Sequence, residues 1–98
     1  SKVPILPEAW ALVQEGICPG GTRRNHESLQ GAIVWDPKIR QEAQLILCDA
    51  QTSGGLLIAV PKEKSATLLR RLRERQTPAS ALIGEIIEDP DGRIWVEP

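Results

Sequence analysis

The sequence has no methionine, phenylalanine or tyrosine, and its aromatic side chains are Trp10, Trp35 and Trp95 alone. Three separate indoles with no basic surface beside them do not make a base-stacking platform, and they read as core or interface residues. Charge of one sign is missing too. Twelve Lys and Arg stand against thirteen Asp and Glu, a formal net charge of −1. Nothing here would hold a phosphate backbone, which argues against nucleic acid as a partner. Long hydrophobic runs are absent. The longest, Gly54-Gly55-Leu56-Leu57-Ile58-Ala59-Val60, is far below a membrane span, so no membrane association is expected. Cysteine is scarce: Cys18 and Cys48 form no CxxC pair. A secreted disulfide scaffold would carry more, so a reducing, cytoplasmic setting is expected, with both thiols as small buried apolar groups. Ser1-Lys2-Val3-Pro4 lacks the charged-then-apolar order of a signal peptide. With no methionine, Ser1 reads as an internal residue, and the chain as a piece of something longer.

What is present is ordinary for a globular domain: 98 residues, 41% hydrophobic and 26% charged. That length implies a single domain over 1–98 with a modest core. Pro and Gly supply the punctuation. Residues 7–16 read as a short helix, with Pro7 in its first turn and Gly16 at its stop. Thr22 is a candidate cap for a second helix through Leu29. A third helix is expected from Asp36-Pro37 to about Gln44. Residues 56–60, apolar throughout and set between Gly55 and Pro61, predict a buried strand. Residues 62–76 give the clearest helix, with Ala66, Leu68, Leu69 and Leu72 on one face and Arg70, Arg71, Arg73 and Arg75 largely on the other. Residues 81–88 and 93–97, joined by Asp89-Pro90-Asp91-Gly92, predict a hairpin. Helices interleaved with strands indicate an α/β or α+β layer, a mixed sheet covered by helices.

Two loops could carry chemistry. In Pro19-Gly20-Gly21-Thr22-Arg23-Arg24-Asn25 the glycines let backbone N–H groups approach an anion, and Arg23 and Arg24 add charged donors. Spacing alone favours the plainer reading, a turn between helices with Thr22 as cap and two solvated arginines. It is not a Walker loop, since GxxxxGK[ST] occurs nowhere. In Asp49-Ala50-Gln51-Thr52-Ser53-Gly54-Gly55, Asp49 could orient a hydroxyl or meet a hard cation, and Gln51, Thr52, Ser53 and the glycine amides could line a polar pocket. The alternative is a tight turn whose side chains satisfy their own backbone. His26 has no second ligand at metal spacing and reads as a helix-surface residue.

The residues Ile17-Cys18-Pro19-Gly20-Gly21-Thr22-Arg23-Arg24-Asn25, followed by Leu47-Cys48-Asp49-Ala50-Gln51-Thr52-Ser53-Gly54-Gly55-Leu56, resemble the C-terminal domain of the selenide, water dikinase (selenophosphate synthetase) family. Ile83-Gly84-Glu85-Ile86 resembles that family's closing strand. The Gln51–Leu56 stretch is shared more widely among aminoimidazole-ribotide synthetase-like ATP enzymes, while the segment 19–25 points to the selenophosphate branch. The resemblance implies an enzyme that makes selenophosphate from selenide, ATP and water, with AMP and phosphate as co-products and Mg2+ and ATP as its cofactors. It implies an N-terminal ATP-binding domain of the same enzyme as partner, and a homodimer when whole. Substrate or phosphate-loop candidates are Gly20, Gly21, Thr22, Arg23, Asn25, Asp49, Gln51, Thr52, Ser53, Gly54 and Gly55, with no catalytic or metal residue among them.

In the family the nucleophile, its Lys and most metal-binding aspartates lie in the N-terminal half, and another such Asp opens the C-terminal domain. None of those segments is present, and neither Cys18 nor Cys48 matches the nucleophile. The chain alone is therefore expected to be inactive and to lack the domain's first strand and helix. A sheet missing a strand exposes an edge, so self-association is expected. The alternatives are a domain from another ATP enzyme of the superfamily or a stand-alone binding module without catalysis.

Overall fold

A computed structural model describes residues 2–98. In chain order the elements are α1 (Pro7–Gln14), α2 (Gly20–Ser28), β1 (Ile33–Trp35), α3 (Gln41–Leu47), α4 (Lys62–Glu74) and β2 (Ile94–Val96). They fall into two compact units. One comprises 5–54 together with 88–98, and the other comprises 55–87 together with 2–4.

The first unit holds five of the six elements. Helix α1 starts with Pro7, whose fixed φ suits the first turn and whose missing N–H would have had no partner there. It stops at Gly16, where φ is +77°. The Gly16 and Ile17 amides turn back onto the Val13 and Leu12 carbonyls at 3.0 and 2.9 Å. This paired closure uses a left-handed residue, the reason glycine stands there. Helix α3 packs against both α1 and α2. His26 on α2 lies tilted against Trp35 on β1, ring centroids 6.2 Å apart. The buried residues among those described are Thr22 and Cys48, at 2% and 5% exposure. The centre of this unit therefore sits where α2 meets the end of α3.

Several expectations change. Thr22 does not cap α2: the helix begins at Gly20 with Pro19 as N-cap, and no side chain caps it. The third helix begins later than expected, at Gln41, and absorbs Leu45-Ile46-Leu47. The hairpin does not form. Strand β2 pairs in parallel with β1, in the register Ile33↔Ile94, Val34↔Trp95 and Trp35↔Val96. Two flanking bonds extend the ladder, Asp36 N–H to Val96 O and Ile94 N–H to Ala32 O, both 2.9 Å. The reason lies in the turn. Asp89 accepts from the backbone N–H groups of Asp91 and Arg93 at 2.9 and 3.2 Å and from the Trp95 indole at 2.9 Å. The carboxylate thus directs the chain onto β1 instead of back along 81–88. The described sheet is parallel and two-stranded, consistent with an α/β class.

In the second unit α4 matches its sequence pattern. Leu68, Leu69 and Leu72 are half-buried, while Arg70, Arg71, Arg73 and Arg75 are exposed. It ends two residues sooner than expected, at Glu74. Gln76 takes the left-handed position, φ +56°, and the Gln76 and Thr77 amides close onto Arg73 O and Leu72 O at 2.9 and 3.1 Å. The expected buried strand at 56–60 is neither buried nor in a ladder: Leu56 is 89% and Leu57 82% exposed. Residues 54–61 and 79–89 run without helix, strand, turn or bend. An apolar run shows that a segment suits a sheet but cannot supply the neighbouring strand.

Candidate functional site

Helix α2 places Thr22, Asn25 and His26 at i, i+3 and i+4, hence on one face. That face meets α3 and the turn that follows it. The Thr22 hydroxyl donates to Asp49 Oδ1 at 2.5 Å and accepts from the Ala50 N–H at 3.3 Å. The first of these bonds has the short length of a hydroxyl bound to a carboxylate. Asn25 Nδ2 donates to the Cys48 carbonyl at 3.0 Å. Two side chains one turn apart thus hold three consecutive residues, Cys48, Asp49 and Ala50. One turn along α2, His26 Nε2 meets Gln44 Oε1 at 2.9 Å, and Gln44 Nε2 donates to Ile39 O at 3.0 Å. Because the Gln44 amide nitrogen is committed to Ile39, its oxygen faces the ring, and His26 Nε2 carries the hydrogen.

The glycines explain how closely the two loops meet. A Cβ on Gly21 would lie 3.0 Å from the Ala50 Cβ, and one on Gly20 would lie 3.4 Å from Arg24 Nη1. Gly21 thus lets the start of α2 approach the turn, and the Arg24 guanidinium folds back along Gly20. Arg23 does not join this junction. Its Nη2 donates to Gly16 O at 3.2 Å, at the C-terminal end of α1, where the helix dipole favours a cation.

The structure therefore brings together Gly20, Gly21, Thr22, Asn25 and Asp49 from the two loops. Gln51, Thr52, Ser53 and Gly54 continue from the pinned turn as exposed residues, with no hydrogen bond to any described residue. Gln51 Oε1 lies 2.6 Å from where a Gly54 Cβ would stand, so its side chain curls over that backbone. Gly55 has open space around its Cα and belongs to the second unit.

Chemically the junction is a hydroxyl, a carboxamide and one carboxylate around a rigid turn. Cys48 is a poor nucleophile, because burial pushes its thiol pKa up and leaves less thiolate. Among the described residues no three His, Cys, Asp or Glu side chains gather where a metal ion could be held. Asp49 by itself, with Thr22 on one oxygen, does not fit a Mg2+ cage.

Sequence reasoning singled out Thr22, Asn25 and Asp49 but missed Gln44 and the Cys48 carbonyl. The signal was available: Gln44 and Cys48 stand four apart, one helical turn, and so face α2 together. It also missed the cluster at Asp89. There Arg93 pairs with the Asp89 carboxylate at 3.2 Å and lies 5.3 Å over the Trp95 ring. The Trp95 and Arg93 hydrogen bonds hold the Asp89 carboxyl well below the usual carboxylate range.

Comparison with known proteins places this geometry in a family. The model for "AIR synthase related protein, C-terminal domain" matches residues 23–97, which take in most of α2 and the whole of β1, α3, α4 and β2. The chain belongs to that family. As an AIR synthase related C-terminal domain, it is similar over most of its length to curated proteins named selenide, water dikinase. That of Aliarcobacter butzleri (strain RM4018) is 38% identical over 87 residues, 89% of this chain and 25% of that protein. That of Pelobacter propionicus (strain DSM 2379) is 35% identical over 97 residues, 99% of this chain and 28% of that protein. That of Shewanella sp. (strain MR-4) is 43% identical over 75 residues, 76% of this chain and 20% of that protein. The domain thus spans about a quarter of the length of the curated relatives it matches. No solved structure matches it. No helix among the described residues is long and apolar enough to cross a membrane.

Proposed function

We propose that this domain is the C-terminal portion of a selenide, water dikinase, an ATP-dependent enzyme that converts selenide and water to selenophosphate, with AMP and phosphate as co-products. The observation that carries the reading is the similarity at 35–38% identity across 87 and 97 residues to proteins of that name. The site geometry supports it. The two segments that resemble the family are far apart in sequence, and the Thr22–Asp49 and Asn25–Cys48 bonds join them.

In this reading the pinned turn is a base and residues 51–54 are a polar lip. Thr52, Ser53 and the Gly54 amide offer donors at the edge of a site for an anionic, phosphate-bearing substrate. Among the described residues no cluster of carboxylates offers a Mg2+ cage; in this reading ATP and Mg2+ are held by the N-terminal part of the enzyme, and the domain alone is expected to have no synthetase activity. The working compartment is the reducing cytoplasm, and the whole enzyme is a homodimer.

A chimera tests this. The corresponding C-terminal segment of the Aliarcobacter butzleri selenide, water dikinase is replaced by residues 1–98. Selenide-dependent formation of AMP and selenophosphate is then followed by phosphorus NMR. The expected result is turnover within about tenfold of the parent and none from the chain alone. A folded chimera that binds ATP but forms no selenophosphate, or a chain active by itself, overturns the reading.

A further inference from the structure

Resting on the dikinase reading only for the identity of the anion, we propose that Arg24 is the cationic contact for a phosphate group of the substrate or product, with Gly20 and Gly21 giving its guanidinium a place beside the polar lip.

The two arginines of α2 have different fates. Arg23 is committed, since its Nη2 donates to Gly16 O at 3.2 Å. Arg24 is exposed and, among the described residues, has neither a carboxylate partner nor a hydrogen bond. It nonetheless lies along the backbone. Its Nη1 is 3.4 Å from where a Gly20 Cβ would stand, and its Nη2 is 3.9 Å from the same position on Gly21. Helical side chains lean towards the N-terminus, so residue 24 covers residues 20 and 21. A guanidinium placed this way keeps its N–H donors for an anion, and its planar fork suits two phosphate oxygens at once.

This contact explains the glycines, which backbone conformation does not. The glycines with positive φ are Gly16, Gly31 and Gly92. Gly20 and Gly21 are helical, and in a helix glycine is a poor choice where any other residue fits. What their missing side chains leave room for is Arg24 at both positions, and Ala50 at Gly21, 3.0 Å from the Cβ position. One glycine thus lies against both the guanidinium and the residue that precedes Gln51. Ala50 is pinned by its N–H bond to the Thr22 hydroxyl, 3.3 Å. The charge therefore sits at the base from which Thr52, Ser53 and the Gly54 amide extend. Asp49 does not neutralise it, because that carboxylate takes the Thr22 hydroxyl and pairs with no arginine.

The test has two arms. In the first, the 98-residue chain is titrated with inorganic phosphate, against chloride at equal ionic strength, and followed by nitrogen–proton NMR. The Arg24 Nε–H and the amides of 52–54 should shift saturably, and Arg23 should not. Arg24→Gln should weaken binding at least about tenfold with an unchanged urea midpoint, because the side chain makes no bond in the fold. Arg24→Lys, which keeps the charge but loses the fork, should fall between. In the second arm the chimera carries Arg24→Gln. A contact to the nucleotide raises KM for ATP at least about tenfold; a contact to the released phosphate leaves that KM alone and weakens inhibition by phosphate by the same factor. Arg71→Gln on α4 should change neither. Phosphate binding that survives Arg24→Gln, shifts at Arg23 as large as those at Arg24, or an active chimera with both constants unchanged overturns the proposal. A folded parent chimera that makes no selenophosphate refutes the dikinase reading instead, and the titration alone then decides on Arg24.

Discussion

Replacing Thr22 by valine tests whether the junction of α2 with the 48–50 turn is held by the hydroxyl or by shape. Thr22 is 2% exposed, and valine matches its volume and its branching at Cβ, so neither packing nor helix propensity changes much. The substitution removes a 2.5 Å bond to the Asp49 carboxylate and a 3.3 Å bond from the Ala50 amide. A hydrogen bond to a charged group contributes about 1.5–3 kcal/mol and a long neutral one about 0.5 kcal/mol. Asp49 and Ala50 are exposed and regain water, which favours the low end. The extra methyl offsets about 0.8 kcal/mol. The net expectation is a loss of about 1–2 kcal/mol, or a fall in Tm of about 4–15 °C for a domain of this size. Thr22→Ser keeps both bonds, loses one buried methyl and should cost about 1 kcal/mol. The assay is urea denaturation followed by tryptophan fluorescence, with an Asp49→Ala cycle to isolate the pair. A coupling energy of about 1 kcal/mol is expected. Thr22→Val within about 0.5 kcal/mol of the parent, or a coupling near zero, refutes the argument that the hydroxyl joins the two loops.

Other outcomes follow from single residues. Gln76→Gly should stabilise α4 by about 0.5–1 kcal/mol, because glycine takes the +56° φ of that position without the strain an L side chain meets there; chemical denaturation reads it, and a loss of stability contradicts it. The Asp89 carboxyl is held below its ordinary range, first by the Trp95 indole and then by Arg93. Its contribution is therefore complete above the unfolded-state value, about 4, and is lost as pH falls below that towards the folded value. Acid titration should release the Trp95 indole NH signal over that range, and Asp89→Asn should remove the step; an unchanged profile in the variant contradicts the assignment. Ellman's reagent should label Cys18 at least about tenfold faster than Cys48, which is buried and has its pKa raised; equal rates contradict the buried junction.

Much of the first unit was legible because its signals are local. Pro7 and Gly16 mark the two ends of α1, and each does so through the backbone property of that residue alone. Thr22, Asn25 and Asp49 were legible as polar residues beside glycines, but their joint role was not. The sequence offered Thr22 as a helix cap, a local use of a hydroxyl. Its actual partners, Asp49 and Ala50, lie 27 and 28 residues away. Nothing in a helix-start pattern distinguishes a threonine that caps from one that is buried in the first turn and reaches across. Close approach of the loops, set by the 3.0 Å between a Gly21 Cβ position and Ala50, decides between the two.

The failures at 56–60 and at 81–88 have one origin. The first segment, apolar throughout, was assigned burial in a sheet from its length and its Gly55 and Pro61 flanks; the second was assigned a hairpin with the run that follows it in sequence. Strand pairing is a relation between two segments, and turn chemistry settles it locally only when the turn allows both strands to pair. At Asp89 it does not. The carboxylate binds the Arg93 and Trp95 side chains and two backbone N–H groups. This fixes the residues after the turn for a parallel partner, β1, whose residues lie 61 positions earlier in the register Ile33↔Ile94. Once β2 is committed to β1, 81–88 has lost its expected partner, and 56–60, which carries no charge of its own, has gained none.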